Sequence, residues 1–126
     1  MKFLLVSNGT LAQDMRVAMQ RFCANPEIDT IGLEEGQTDK FIGEIQHYLV
    51  DVSEEVLILC DYWGSAAFNE VVYCVKKFQL LEQTGIICGM NLPMVFKLYG
   101  LKDSWNIQNI RKLYSQGDSQ GLISVY

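Results

Sequence analysis

The sequence predicts one α/β domain built on a doubly wound, mainly parallel four-stranded sheet with helices on both faces. Four apolar runs of similar length are bounded by turn-forming or charged residues, at positions 2–7, 28–33, 55–61 and 84–89. Segments with apolar residues three and four positions apart lie between these runs, as expected of amphipathic helices. Alternating strands and helices form right-handed crossovers and a parallel sheet buried on both faces, which explains why the strands are apolar throughout.

Three predicted helices separate the four strands, and each is indicated by apolar side chains that share one helical face. Their apolar positions are Leu11, Met15, Ala18, Met19 and Phe22 in the first, Phe41, Ile45, Tyr48 and Leu49 in the second, and Phe68, Val71, Val72, Val75 and Phe78 in the third. A fourth helix begins at Asn91, because Asn is a preferred cap and Pro93 is tolerated in a first turn, and it runs to about Leu101. A fifth helix is predicted from Ser104 to about Tyr114.

The chain closes on residues 122–126, which have the composition of a strand and follow a loop rich in Gly and Ser. We predict a terminal strand there, and it has no helix partner. Because an unpaired strand edge is costly, this strand must pair with an edge of its own sheet or with that of a second subunit.

Composition and charge narrow the class of protein. The 126 residues are 49% hydrophobic and 20% charged, which is typical of one globular domain spanning residues 1–126. The net charge of −5 argues against nucleic acid and anionic membranes as partners, because both need a basic face. No apolar run approaches the roughly 18 residues that a membrane-spanning helix needs, so we expect a cytoplasmic protein.

The cysteines and the single histidine do not form a ligand set. Cys23, Cys60, Cys74 and Cys88 stand singly in apolar segments, without the close pairs of zinc or redox sites, so we expect buried free thiols and no metal. His47 lies in the second predicted helix, where a surface or packing role is expected.

Polar segments follow the first, third and fourth predicted strands, at positions 7–10, 61–69 and 89–93. The carboxyl ends of neighbouring parallel strands lie at one edge of a sheet, where α/β proteins bind ligands. Asp61 stands at such an end and can orient a neighbouring side chain, while Gly64 and Ser65 open the third helix, where main-chain N–H groups favour an anion. The arrangement suits a phosphoryl group.

Together these segments resemble the IIA component of the mannose family of the bacterial phosphoenolpyruvate-dependent sugar phosphotransferase system. Residues 6–12 (VSNGTLA) are similar to that family's strand followed by Ser/Thr-His-Gly. Residues 61–69 (DYWGSAAFN) are similar to Asp-x-Phe/Trp-Gly-Gly-Ser-Pro-Phe-Asn, and residues 89–94 (GMNLPM) are similar to Gly-x-Asn-Leu/Ile-Pro-Met. The three motifs occur in order at the expected strand ends, and the resemblance covers nearly the whole chain.

The resemblance implies a phosphoryl relay in carbohydrate uptake. In that family a histidine of the first loop takes phosphate from the carrier protein HPr and passes it to IIB. A carboxylate matched by Asp61 fixes the ring nitrogen that faces the phosphate. The resemblance also implies a homodimer that exchanges its C-terminal strand, contact with the membrane only through the IIC and IID components, and no cofactor.

The site residues follow from the same motifs. The predicted phosphate-binding residues are Gly9, Thr10, Gly64, Ser65 and Ala66. The predicted docking residues are Tyr62, Trp63 and Asn91, although aromatic side chains beside a sheet end are as often packed as available to a partner.

Asn8 occupies the position of the family's histidine. Its amide nitrogen is not a nucleophile at neutral pH, because the lone pair is delocalised into the carbonyl, so it cannot form a phosphoramidate. Its side chain can still donate a hydrogen bond to Asp61, as one face of an imidazole does. Ala66 and Ala67 replace the family's serine and proline, which favours a natural departure over a single engineered change, and leaves Ser65 to supply the lost hydroxyl.

Two functions remain open on these residues. The first is a IIA-type subunit of the relay, with Asn8 at the acceptor position, and the second is a IIA-like binding or regulatory module that does not accept phosphate. A nucleotide- or flavin-binding domain is disfavoured, because residues 7–10 lack the G-x-G-x-x-G pattern and the P-loop lysine. His47 and Cys60 are not predicted to replace the nucleophile, since the first is far from the loops and the second lies late in an apolar strand.

Overall fold

Strands and helices alternate along residues 1–115, the part of the chain that the computed structural model describes. The strands are β1 (Lys2–Asn8), β2 (Asp29–Leu33), β3 (Val56–Cys60) and β4 (Thr84–Cys88). The helices are α1 (Leu11–Met19), α2 (Thr38–Val50), α3 (Ala66–Lys77), α4 (Leu92–Leu101) and α5 (Ile107–Ser115). This order confirms the predicted alternation and both of the helices predicted after the fourth strand.

The strands form one parallel sheet in the order β2-β1-β3-β4. In-register pairs such as Val6 with Cys60, and Cys60 with Cys88, align the carboxyl ends of the strands at one edge. The neighbouring strands β1 and β3 are followed by α1 and α3, which cover opposite faces, so the two connections diverge at this edge. The doubly wound parallel fold is therefore confirmed, and its switch point lies between β1 and β3.

Alternate residues of the central strands build one core on each face of the sheet. Leu4 and Ile58 face a cluster formed with α2 and α3, whereas Phe3 and Leu57 face a cluster formed with α1, α4 and α5. β3 is buried at every position because helices cover both of its faces. The apolar runs of the sequence therefore reflect a sheet between two helical layers.

The first helix ends earlier than its apolar pattern predicts. α1 stops at Met19, and Phe22 lies in the following turn, where its N–H donates to Met19 O at 3.0 Å. The Phe22 side chain is 62% exposed and packs edge to face on Phe96 of α4, with ring centroids 5.3 Å apart. Phe22 therefore continues the apolar spacing of α1 in the sequence, but it lies outside the helix and packs on α4.

Cysteine burial agrees with the sequence for three of the four thiols. Cys60, Cys74 and Cys88 are buried and free, whereas Cys23 is free but only half-buried. Cys23 follows the turn after α1, at the rim of the helical layer, where its thiol lies 3.9 Å from the Tyr99 hydroxyl.

The predicted strand at residues 122–126, and its exchange between subunits, lie outside the described residues. Within residues 1–115, no helix combines the length and the apolar character that crossing a membrane requires.

Candidate functional site

The carboxyl edge of the sheet brings together the ends of β1 and β3 and the first turn of α3. We call this group of residues, Asn8, Gly9 and Asp61–Ala67, the switch-point site. Main-chain hydrogen bonds hold it in place: Asp61 N donates to Val6 O at 3.2 Å, and Gly9 N donates to Leu33 O at 2.7 Å. Gly9 adopts a φ of +66°, which lets the chain leave β1 sharply and begin α1 two residues later.

Asp61 lies at the centre of the site and accepts three hydrogen bonds. Its Oδ2 accepts from the main-chain N of Asn8 at 2.9 Å. Its Oδ1 accepts from the main-chain N of Tyr62 at 2.9 Å and from the Ser65 hydroxyl at 2.7 Å. Both carboxylate oxygens are therefore fixed by donors within the chain.

Asn8 does not contact Asp61 in the way the sequence predicted. The expected donor was the side-chain amide, but the donor is the main-chain N–H, because β3 ends at Cys60 and the carboxylate takes the place of a strand acceptor. The side chain of Asn8 turns to α3 instead, where its Oδ1 accepts from Ala67 N at 3.1 Å. The positive end of the helix dipole favours this oxygen.

Ser65 caps α3. Its hydroxyl accepts from Phe68 N at 3.0 Å and donates to Asp61, and the residue is 1% exposed. The hydroxyl is therefore directed into the protein, so its predicted contact with a phosphoryl group would require it to turn. With Ala67 N held by Asn8, two N–H groups of this helix start have acceptors within the chain, where the sequence suggested free donors.

The cap is worth a measurable share of the stability. In Ser65→Ala, the first turn of α3 loses its side-chain acceptor, and we expect the free energy of unfolding to fall by about 0.5–2 kcal/mol in a urea titration. Ser104→Ala is the matched control, because Ser104 is exposed and its hydroxyl lies 3.4 Å from Leu101 O, and it is expected to change stability by less than about 0.5 kcal/mol. Equal losses in the two variants would contradict the capping role.

The side-chain acceptor at the start of α1 is Ser7 and not Thr10, which was predicted to bind phosphate. Thr10 precedes α1, but its hydroxyl donates to Asp14 at 3.1 Å and provides no cap. Ser7, which was not among the predicted site residues, is buried at the end of β1, and its hydroxyl accepts from Ala12 N at 2.9 Å. A serine inside an otherwise apolar strand, directly before a helix, is the signal that could have identified it.

The predicted docking residues divide into two kinds. Tyr62 and Trp63 are 55% and 64% exposed, and the Trp63 ring lies on Phe68 with centroids 6.0 Å apart. Asn91 is half-buried and caps α4: its Oδ1 accepts from Met94 N at 3.0 Å, and its amide donates to Gly89 O at 3.2 Å. The aromatic pair is thus exposed beside the site, whereas the amide of Asn91 is engaged at the start of α4.

The other nucleophile candidates lie away from the open side of the site. His47 is an exposed residue of α2, 4.0 Å from Asp51. Cys60 is fully buried, and its hydrogen bond to Cys88, together with burial, raises the pKa of the thiol well above its usual value. Cys60 is therefore a protonated core thiol at neutral pH.

A polar cleft of about 340 Å³ opens on the other side of β1, toward β2 and α2. It shares only Gly9 and Thr10 with the predicted phosphate-binding residues, and its charged groups include Lys40 and Glu44, which lie 4.0 Å apart. The cleft is therefore separate from the carboxylate of the switch-point site.

The fold and these loops define a doubly wound α/β protein whose polar residues meet at the switch point, the class that binds ligands or partners there. Residues 2–113 match the family EIIA-man, which is described as PTS system fructose IIA component. That match covers most of the chain, so the protein belongs to this family of phosphotransferase-system IIA components, and the resemblance drawn from its motifs is confirmed.

Solved structures of IIA proteins share the fold. EIIA from Streptococcus agalactiae is 15% identical, with a TM-score of 0.80 over 98% of this chain and 95% of its own. The mannose/sorbose-specific IIA subunit from Enterococcus faecalis is 16% identical, with a TM-score of 0.73 over 91% and 86%. A IIA protein associated with the fucose utilization operon of Streptococcus pneumoniae is 25% identical, with a TM-score of 0.62 over 82% and 77%. No curated protein gave a significant sequence match.

Proposed function

We propose that this chain is a IIA-type subunit of a mannose-family sugar phosphotransferase system that docks HPr and IIB but does not itself accept phosphate. The observation that carries the proposal is the position of Asn8. The motif resemblance puts Asn8 in line with the family's histidine. Its main chain is held by Asp61, and its side chain is held by Ala67. Asp61 and the start of α3 thus surround the carboxamide of Asn8, which cannot be phosphorylated.

The amide of Asn8 lacks the chemistry of the relay. Transfer to a histidine requires a ring nitrogen with an available lone pair, and a carboxamide nitrogen has none. The remaining carboxylate, Asp61, is engaged by three donors. The relay function that the family implies would therefore stop at this subunit, and a regulatory or competing role in carbohydrate uptake follows.

Docking is proposed to involve the exposed aromatic pair beside the site. Tyr62 and Trp63 lie one and two residues after Asp61, so a partner that brings its phosphoryl group to Asn8 would contact them. Large aromatic side chains contribute strongly to interfaces because they bury much apolar surface at low entropic cost. The proposal includes a cytoplasmic homodimer that meets the membrane through IIC and IID only.

Binding and transfer must be measured together. The full chain is titrated with purified HPr and IIB by calorimetry and, in parallel, incubated with phosphoenolpyruvate, enzyme I and HPr. Complex formation with either partner, without phosphate on the chain, is the expected result. Phosphate on the unaltered chain would overturn the proposal and favour the relay, and a chain that binds neither partner would also overturn it.

Trp63→Ala tests the docking surface. If Trp63 is an anchor, its removal raises the Kd for the partner by about 30-fold or more, which corresponds to about 2 kcal/mol. Phe22→Ala is the matched control, because Phe22 is similarly exposed, at 62%, but lies in the turn after α1, away from the carboxyl edge of the sheet. A similar loss of affinity in both variants would contradict docking at the switch-point site.

A further inference from the structure

The acceptor position carries a second chemical property, because Asn8 is followed by Gly9. This is the only Asn-Gly pair in the sequence. In such pairs the main-chain nitrogen of the glycine can attack the carboxamide carbon of the asparagine, since no side chain hinders its approach. Asn8 and Gly9 are both exposed, and the space around Gly9 is open, with no atom within 4 Å of where a Cβ would lie.

The contacts of Asn8 favour one half of this reaction and oppose the other. Ala67 N, at the start of α3, donates to Asn8 Oδ1 at 3.1 Å, so it polarises the carboxamide and stabilises an oxyanion on that oxygen. Gly9 N, the attacking atom, is held by Leu33 O at 2.7 Å. The electrophile is therefore activated in the folded protein, while the nucleophile must first leave its acceptor on β2.

We propose that Asn8 is a site of spontaneous deamidation whose rate is set by the hydrogen bond between Gly9 N and Leu33 O. The Gly9 nitrogen loses its proton to hydroxide and bonds to the Asn8 carboxamide carbon. Ammonia then leaves with a proton from solvent, and a cyclic imide remains. Water opens the imide at either carbonyl and gives aspartate or isoaspartate, so the net change is one water consumed and one ammonia released.

The product changes the charge of the switch-point site. A carboxylate at position 8 is favoured by the start of α3, yet it adds a second negative charge beside Asp61. Partners that approach this edge would then meet a different electrostatic surface. The inference stands apart from the proposed docking function, because its readout is the mass of the chain and needs no partner.

The test follows all six asparagines in one sample of the folded full chain. The protein is incubated at mildly alkaline pH, digested, and examined by fragmentation mass spectrometry. Asn8 is expected to convert at least about tenfold faster than any other asparagine, a barrier difference of about 1.4 kcal/mol, and to give both aspartate and isoaspartate. An unchanged Asn8, or faster conversion elsewhere, would overturn the proposal.

Control by the fold is tested in the same way. The chain unfolded in urea is expected to convert Asn8 faster than the folded chain, because Gly9 N is then free. Gly32→Ala places a Cβ 2.5 Å from Gly9 O, so it pushes the loop from β2 and is expected to accelerate conversion. Gly43→Ala is the matched control, since its Cβ meets nothing within 4 Å, and its rate should equal that of the parent. Equal rates in folded and unfolded parent chains would overturn control by this hydrogen bond, whatever the stability of Gly32→Ala.

Discussion

Asn8→His is expected to become phosphorylated when incubated with phosphoenolpyruvate, enzyme I and HPr, whereas the unaltered chain stays unlabelled. The reason is that the main-chain N of residue 8 keeps its bond to Asp61 whatever its side chain, so the loop that presents the acceptor is retained. A histidine adds the missing ring nitrogen beside the same helix start. Incorporation of labelled phosphate, followed by mapping of the modified residue, measures the result.

Asn8→Gln is the control that distinguishes the gain of a nucleophilic ring nitrogen from the loss of asparagine alone. Glutamine also lacks a nucleophile, so it is expected to remain unlabelled under the same conditions. The bond that forms in Asn8→His should be labile in acid and stable in base, as expected of a phosphoramidate. If neither variant is labelled, residues of the pocket other than residue 8 also prevent transfer. Ala66, which the motif resemblance aligns with the family's serine, is then the first position to change, as Ala66→Ser.

Removing the Asp61 carboxylate in the Asn8→His background is expected to slow phosphate labelling by about a hundredfold. Asp61 fixes residue 8 and the start of α3 through three hydrogen bonds, and misplacement of a reacting group by about 1 Å can cost about this factor. The comparison is Asp61→Ala in the Asn8→His background against Asn8→His alone, with initial rates of phosphate incorporation. A rate unchanged by Asp61→Ala would show that the carboxylate does not position the acceptor.

The same substitution in the parent chain has a second, independent readout. Asp61→Ala leaves the buried Ser65 hydroxyl without its acceptor, and we expect the free energy of unfolding to fall by about 1–3 kcal/mol. Asp51→Ala is the control, because Asp51 is a highly exposed carboxylate at the C-terminal end of α2, 4.0 Å from His47. Its removal should cost less than about 0.5 kcal/mol. A neutral Asp61→Ala would contradict the network described for this residue.

The order and type of the elements could be predicted because buried parallel strands and amphipathic helices carry strong periodic signals. Within residues 1–115, the four strands and five helices lie where the sequence predicts them, with shifts only at their ends. The end of α1 was missed because Phe22 continues the apolar spacing while it packs on Phe96, a contact between segments far apart in sequence. Periodicity reports which side chains are apolar, and it does not report which neighbour they contact.

The site was predictable in its location and less so in its hydrogen bonds. Loops after β1 and β3 meet because the strands are neighbours, so Asn8 and Asp61 were correctly placed together. The donor from Asn8 to Asp61 is the main-chain N–H, and no sequence pattern indicates whether a main-chain or a side-chain group will donate. The inward hydroxyl of Ser65 and the cap supplied by Ser7 likewise depend on where β3 and β1 end, to within one residue.

The bond from the main chain of residue 8 to Asp61 has an evolutionary consequence. Because this contact does not depend on the side chain, exchange of asparagine and histidine at position 8 changes chiefly the bond to Ala67, worth about 1 kcal/mol. Codons for the two amino acids differ by a single base. On the proposed function, a gene would lose or regain the phosphoryl acceptor by one mutation without leaving the range of stably folded sequences, and active and silent subunits would descend from one another in either direction.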